Sequence, residues 1–181
     1  CRMNPFARWT ARRSSAAASA PLRADALPAG TVLGGVLLSR PIGRGATAVV
    51  YGGLDSTTHS PRAVKVWSPS TGADNETAQQ RFLQESQQAA RLEHPGIVRV
   101  FSGGSQDGLS FIVMELLAGD TLARYASTEH RLPEPVVLDI AAQLAAALAH
   151  AHRQGVLHRD VKPSNALFDL ASRRAVLTDF G

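Results

Sequence analysis

The chain has 181 residues, of which 44% are hydrophobic and 19% charged, so it can bury a core and is not disordered throughout. Its single cysteine, Cys1, excludes a disulfide framework and any cysteine-based zinc cage. The formal charge of +4 would suit an anionic partner, but Arg2, Arg8, Arg12, Arg13 and Arg23 all precede the first acid, Asp25, and without those five the rest carries −1.

Residues 1–30 are rich in Ala, Ser and Arg without periodicity, and they read as a disordered basic leader. An Arg-rich, acid-poor start also resembles an organellar transit peptide. From Leu33 the pattern changes. Val36-Leu37-Leu38, Ala48-Val49-Val50-Tyr51 and Ala63-Val64-Lys65-Val66-Trp67 are β-prone runs separated by Gly, Ser, Thr and Pro, which predicts an antiparallel meander. A helix is predicted over 76–92, with Asp74, Asn75 and Thr77 as cap candidates and His94-Pro95-Gly96 as its stop. Two strands follow, Ile97 to Phe101 and Leu109 to Met114. Pro133-Glu134-Pro135 opens a long Ala-rich helix with Val137, Ile140, Leu144 and Leu148 on one face and Gly155 as its C-terminal cap. Short strands Ala166 to Phe168 and Ala175 to Thr178 close the series. No run approaches the roughly 20 apolar residues that a membrane helix needs.

Three segments carry chemistry. Ile42-Gly43-Arg44-Gly45-Ala46-Thr47-Ala48 is a glycine-rich turn between two strands, where backbone N–H groups can approach phosphate oxygens. A strand follows it, which rules out a dinucleotide fingerprint, and no Gly-Lys-Ser/Thr ends it, which rules out a Walker A loop. Lys65 lies in an apolar strand and needs a partner if buried; Glu85 on the following helix is a candidate. His158-Arg159-Asp160-Val161-Lys162-Pro163-Ser164-Asn165, with Asp179-Phe180-Gly181 after it, puts a proton acceptor, a cation and hard oxygen ligands in one short stretch. Seventeen of the 19 basic residues are Arg; the two lysines, Lys65 and Lys162, both fall in these segments. Against that background a retained Lys points to a place where Arg will not serve, since Lys is a compact point charge on a flexible stem and Arg a broad planar fork. The remaining histidines, His59, His94, His130, His150 and His152, show no metal-like spacing and read as surface or satisfied polar groups.

In this order the segments resemble a eukaryotic-type protein kinase, most closely the bacterial serine/threonine branch, over residues 31 to 181. The resemblance implies an α+β, two-lobed fold: a complete β-rich small lobe with one key helix and hinge over 31–117, and the start of a helical large lobe over 118–181. It implies ATP and Mg²⁺ as cofactors and a protein serine or threonine as acceptor. Ile42, Gly43 and Gly45 match the phosphate-covering loop; Val50, Ala63 and Leu167 match the apolar residues around adenine. Lys65 matches the lysine of the α- and β-phosphates and Glu85 its helix partner. Met114 resembles the gatekeeper, and Glu115 and Leu117 the hinge. Asp160 matches the catalytic base, Lys162 the γ-phosphate lysine, and Asn165 and Asp179 the metal ligands. Arg159 would bind a phosphorylated residue of an activation segment. The pattern departs at Ala48, where the family has a third glycine, and at Ala166, where a larger aliphatic is common. The chain stops at Gly181, so the expectation is an inactive, poorly soluble fragment with an exposed apolar helix face. The rival readings are a nucleotide-binding pseudokinase or scaffold, and a basic leader that contacts nucleic acid or an anionic membrane. The kinase reading expects no nucleic acid, no membrane segment within the chain, and a cytoplasmic protein or the cytoplasmic domain of a longer membrane protein.

Overall fold

The computed structural model describes residues 23–68 and 75–180. The chain divides into two compact units, Cys1–Gln87 with Val100–Leu116, and Gln88–Arg99 with Leu117–Gly181.

The first unit is built on a six-stranded antiparallel sheet. Its strands are β1 (Val32–Leu33), β2 (Val36–Arg44), β3 (Ala48–Asp55), β4 (Pro61–Trp67), β5 (Val100–Gln106) and β6 (Leu109–Glu115), in the order β1-β2-β3-β4-β6-β5. Side chains alternate across it as the period of two requires. Val64 and Val66 of β4 and Leu109, Phe111 and Val113 of β6 enter one hydrophobic cluster with Leu33, Val36, Leu38, Val49 and Tyr51. Ala63, Lys65, Ser110, Ile112 and Met114 therefore share the opposite face, with Lys65 paired to Ile112 and Ala63 to Met114. β2 carries Pro41, which cannot donate to the ladder, and the register shifts on both sides of it. Helix α1 (Asn75–Ala89) follows β4. The cap candidate Asp74 lies outside the described residues.

Two expectations for this unit change. The boundary at residue 30 was too late, because composition hides two core residues. Ala24 and Leu27 are 4% and 8% exposed and belong to the sheet's cluster. The Tyr51 hydroxyl donates to the Ala24 carbonyl at 3.0 Å and accepts from the Leu27 N–H at 3.2 Å. Residues 1–22 of the expected leader lie outside the described residues. The strand expected over 97–101 instead runs over Val100–Gln106, because pairing with β6 overrides the poor strand propensity of Ser102-Gly103-Gly104-Ser105.

In the second unit, β7 (Asp120–Thr121), β8 (Ala166–Asp169) and β9 (Arg174–Leu177) form a three-stranded antiparallel sheet in that order. Ile97 adds a single parallel bridge to Leu177. Helix α2 (Glu134–Arg153) covers this sheet through Ile140, which packs with Phe168 and Ala175, flanked by Leu122, Tyr125, Leu132, Val136 and Leu144. Gln143 fixes the register: its amide donates to the Arg173 carbonyl at 2.9 Å and accepts from the Ala175 N–H at 2.9 Å. Gly155 ends α2 as expected. At φ 73° it allows Val156 N–H to reach the Ala151 carbonyl and its own N–H to reach that of His152, each at 2.9 Å. Val137 and Leu138 are exposed. By length and composition α2, with a mean hydropathy of 1.2, also passes the test for a membrane span, contrary to the sequence expectation. One such helix is weak evidence for a span, since core helices of soluble proteins pass the same test.

Candidate active site

In the second unit the loop after α2 is organised by His158, which is only 1% exposed. Its Nε2 lies 2.9 Å from the Thr178 carbonyl, which can only accept, so Nε2 carries the proton. Nδ1 is then free to accept from the Asp160 N–H, 3.4 Å away. The ring also packs on Phe180, with centroids 4.5 Å apart. Burying the imidazole thus ties the loop to the segment that follows β9.

Asp160 projects from this anchored loop and is exposed. Lys162 Nζ donates to its Oδ2 at 2.6 Å, and Asn165 Nδ2 donates to the same oxygen at 2.9 Å and to the Asp160 carbonyl at 3.0 Å. These donors hold the carboxyl below its ordinary value of 3.8, with the Lys162 hydrogen bond as the largest cause; desolvation, the next largest, opposes it. Asn165 is 6% exposed, and its backbone carbonyl accepts the Thr178 N–H at 2.9 Å. That bond brings the end of β9, and hence Asp179, to the Asn165 turn. Both Arg159 (φ 63°) and Asp179 (φ 58°) are non-glycine residues in the left-handed region, a conformation concentrated where surrounding structure holds side chains for function. Arg159 and Asp179 are exposed. Leu167 is half-buried on β8, paired with Thr121 and Val176; Leu117 is half-buried just before β7. The small Ala166 is buried at 2% opposite Leu177, so the departure from a larger aliphatic leaves a packed strand.

In the first unit the glycine-rich segment is the β2–β3 hairpin. Gly43 pairs with Val50, Arg44 with Val49, and the Gly45 N–H reaches the Ala48 carbonyl at 2.8 Å. Ala48 is buried at 5%, so the methyl that replaces a third glycine enters the protein instead of the space above the loop. Ile42 is exposed, Val50 half-buried and Ala63 buried. Lys65 is half-buried on β4, with Nζ 6.0 Å from the centre of the Phe82 ring on α1. Glu85 is on α1 as expected, but its side chain lies outside the described residues, so the Lys65–Glu85 pair remains an expectation. Met114 and Glu115 end β6, opposite Ala63 and Arg62. Gly181 likewise lies outside the described residues.

Sequence reasoning missed Phe82 and the Gln79–Ser110 contact described below. The one signal available was their spacing on α1. It also missed that His94 and His150 meet, with ring centroids 5.2 Å apart. Among the described residues no group of three or more His, Cys, Asp or Glu side chains is arranged to hold a metal.

Residues 37–181 match the family model of the protein kinase domain. The chain belongs to the protein kinase family. It is 39% identical over 142 residues to the serine/threonine-protein kinase PrkC of Bacillus subtilis, covering 78% of this chain and 22% of that protein. It is 38% identical over 158 residues to PknD of Mycobacterium tuberculosis, covering 87% and 24%. The crystal structure of the Mycobacterium tuberculosis PknI kinase domain superposes with a TM-score of 0.73 at 34% identity, over 86% of this chain and 63% of that one. The chain thus spans under a quarter of the length of these curated relatives and under two thirds of the solved domain. The kinase fold, with a β-rich first unit bearing one helix, is the one the motifs implied.

Proposed function

We propose that this protein kinase transfers the γ-phosphoryl group of ATP to serine or threonine hydroxyls of protein substrates, with Mg²⁺ as cofactor. The observation that carries this is the Asp160 carboxylate held at one oxygen by both Lys162 and Asn165. Asp160 is ionised at neutral pH and oriented, so it accepts the proton of the attacking hydroxyl as the oxygen–phosphorus bond forms and ADP leaves. Lys162, two residues on, neutralises charge on the transferring group, and its position matches the serine/threonine group of kinases. The metal fits the donors present. Asn165 spends its N–H groups on Asp160, leaving its side-chain oxygen, and Asp179 adds an exposed carboxylate; both are hard ligands. Bound there, Mg²⁺ would neutralise phosphate charge.

Within the first unit, Gly43 and Gly45 offer backbone N–H groups to phosphates, and Lys65 the charge for the α- and β-phosphates with Glu85 as its partner. Ile42, Val50 and Ala63 are read as adenine contacts and the Glu115 backbone as a partner of its edge; in the second unit, Leu167 and Leu117 are given the corresponding roles by resemblance alone. Localisation is cytoplasmic, or in the cytoplasmic domain of a longer membrane protein.

The test is transfer by the full-length protein to a generic protein substrate in ATP and Mg²⁺, with phosphosite mapping. Lys65→Met and Asp160→Asn should each lower turnover by roughly 10²–10⁴-fold. Parental turnover in either variant, or phosphate found only on other residue types, would reject the reading.

A further inference from the structure

Helix α1 is a polar helix, Asn75-Glu-Thr-Ala-Gln-Gln-Arg-Phe-Leu-Gln-Glu-Ser-Gln-Gln-Ala89, and so has little apolar surface with which to define its own rotation against the sheet. Two of its residues reach the sheet face that carries Lys65. Gln79 donates from Nε2 to Ser110 Oγ at 2.6 Å. Phe82, one turn on and 9% exposed, places its ring 6.0 Å from Lys65 Nζ. Positions i and i+3 lie on one side of a helix, so these contacts act together.

The sheet register explains why they meet. Lys65 on β4 pairs with Ile112 on β6, and Ser110 lies two residues before Ile112, on the same face. Ser110 is 1% exposed, and Ser105 Oγ, directly opposite it on β5, lies 3.0 Å from its Oγ. A hydroxyl this buried cannot exchange its partners for water, so loss of Gln79 leaves it short of one bond. Two docking points one turn apart fix both the rotation and the axial position of α1.

From this geometry we infer that Gln79 and Ser110 are positioning residues for phosphate binding: their hydrogen bond seats α1 so that Phe82 bears on Lys65. This rests on the reading of Lys65 as the phosphate-binding lysine. The bond acts on the phosphates through Lys65 and not on the adenosine part of the nucleotide.

Titration calorimetry with ATP·Mg²⁺ and, separately, with adenosine tests this on the full-length protein. Gln79→Ala should weaken ATP binding roughly three- to tenfold while adenosine binding stays within about twofold, as expected for loss of one hydrogen bond. Ser110→Ala, approached from the strand side, should reproduce that selective loss. Gln79→Glu cannot donate, so the bond survives only with its direction reversed, Ser110 Oγ–H donating to the carboxylate; where it does, ATP binding should be restored at least in part. Equal weakening of both ligands would show general loosening and overturn the inference, as would parental ATP affinity in Gln79→Ala and Ser110→Ala. Failure of the parental protein to bind ATP at all would instead reject the phosphate-binding reading of Lys65, and the inference with it.

Discussion

Lys162 reaches back two residues to donate from Nζ to Oδ2 of Asp160 across 2.6 Å, and this contact is the largest influence on how that carboxyl titrates. Both side chains are about half exposed, so the pair lies on the solvent-facing surface of the loop and not in its core.

The folded-state pKa of Asp160 is lowered from 3.8, chiefly by the Lys162 hydrogen bond and further by Asn165 and the charges of Lys162 and His158. A depressed carboxyl contributes stability that is present above its unfolded value and lost as pH falls through the folded value. That window lies below 3.8, so Asp160 stays ionised throughout the neutral range. Any loss of the proposed transfer activity between pH 7 and pH 5 is then expected to arise from other groups. Lys162→Met should raise the Asp160 pKa towards 3.8, read by carbon-detected NMR titration of the carboxyl. An unmoved midpoint would mean that the contact does not persist in solution.

Much of this site was legible because its chemistry is local. Asp160, Lys162 and Asn165 are within six residues of one another, and a short loop has few ways to bring them together. The two lysines were readable against an arginine background. The distant partners were not. That Ser110 meets Gln79, 31 residues away, depends on the β4–β6 register, which no single strand encodes. Ala24 and Leu27 were lost in an Ala-rich stretch because burial there depends on Tyr51, a strand away. Ile97 read as part of a strand because it is apolar, yet it bridges to Leu177 before β5 begins.

Two glycines with left-handed φ should respond very differently to alanine. A Cβ on Gly119 (φ 86°) would lie 2.2 Å from the Phe168 carbonyl oxygen, where β7 meets β8. Backbone cannot yield as a side-chain tip does, so Gly119→Ala should cost about 2–4 kcal/mol, combining an unfavourable φ with broken pairing. Gly155 (φ 73°) has nothing within 4 Å of the same position. Gly155→Ala should cost only about 1 kcal/mol, the conformational part alone. Urea denaturation of both variants measures the difference; equal losses would contradict the close approach at Gly119.

His94 gives the second unit a pH dependence of opposite origin. Its pKa is lowered from 6.5, first by burial and then by the charges of His150 and Arg153. Its Nδ1 accepts the Gly96 N–H at 3.0 Å, a role that protonation there removes. The unfolded chain therefore binds the proton more readily than the folded one, and stability falls as pH drops below about 6.5 towards the folded value. Thermal unfolding followed from pH 7.5 to 5.5 should show this decline. His94→Asn, which keeps an acceptor but no titrating ring, should flatten it; an unchanged slope would assign the decline to other groups.

Tyr51 offers the cleanest check that residues 23–30 belong to the folded first unit. Its hydroxyl links both the Ala24 carbonyl and the Leu27 N–H to β3. Tyr51→Phe keeps the ring in the core cluster but strands the Ala24 carbonyl and the Leu27 N–H in a buried setting. An unsatisfied buried group costs about 1–3 kcal/mol, and that loss should appear in urea denaturation. Because the rest of the sheet keeps its own ladder, local release should come first. Hydrogen exchange at Leu27 should accelerate more than at Val64 or Val113, which lie deep in the same cluster. Equal acceleration at all three would mean that the segment and the sheet open as one unit, and no acceleration at Leu27 would mean that its N–H is protected by something other than the Tyr51 hydroxyl.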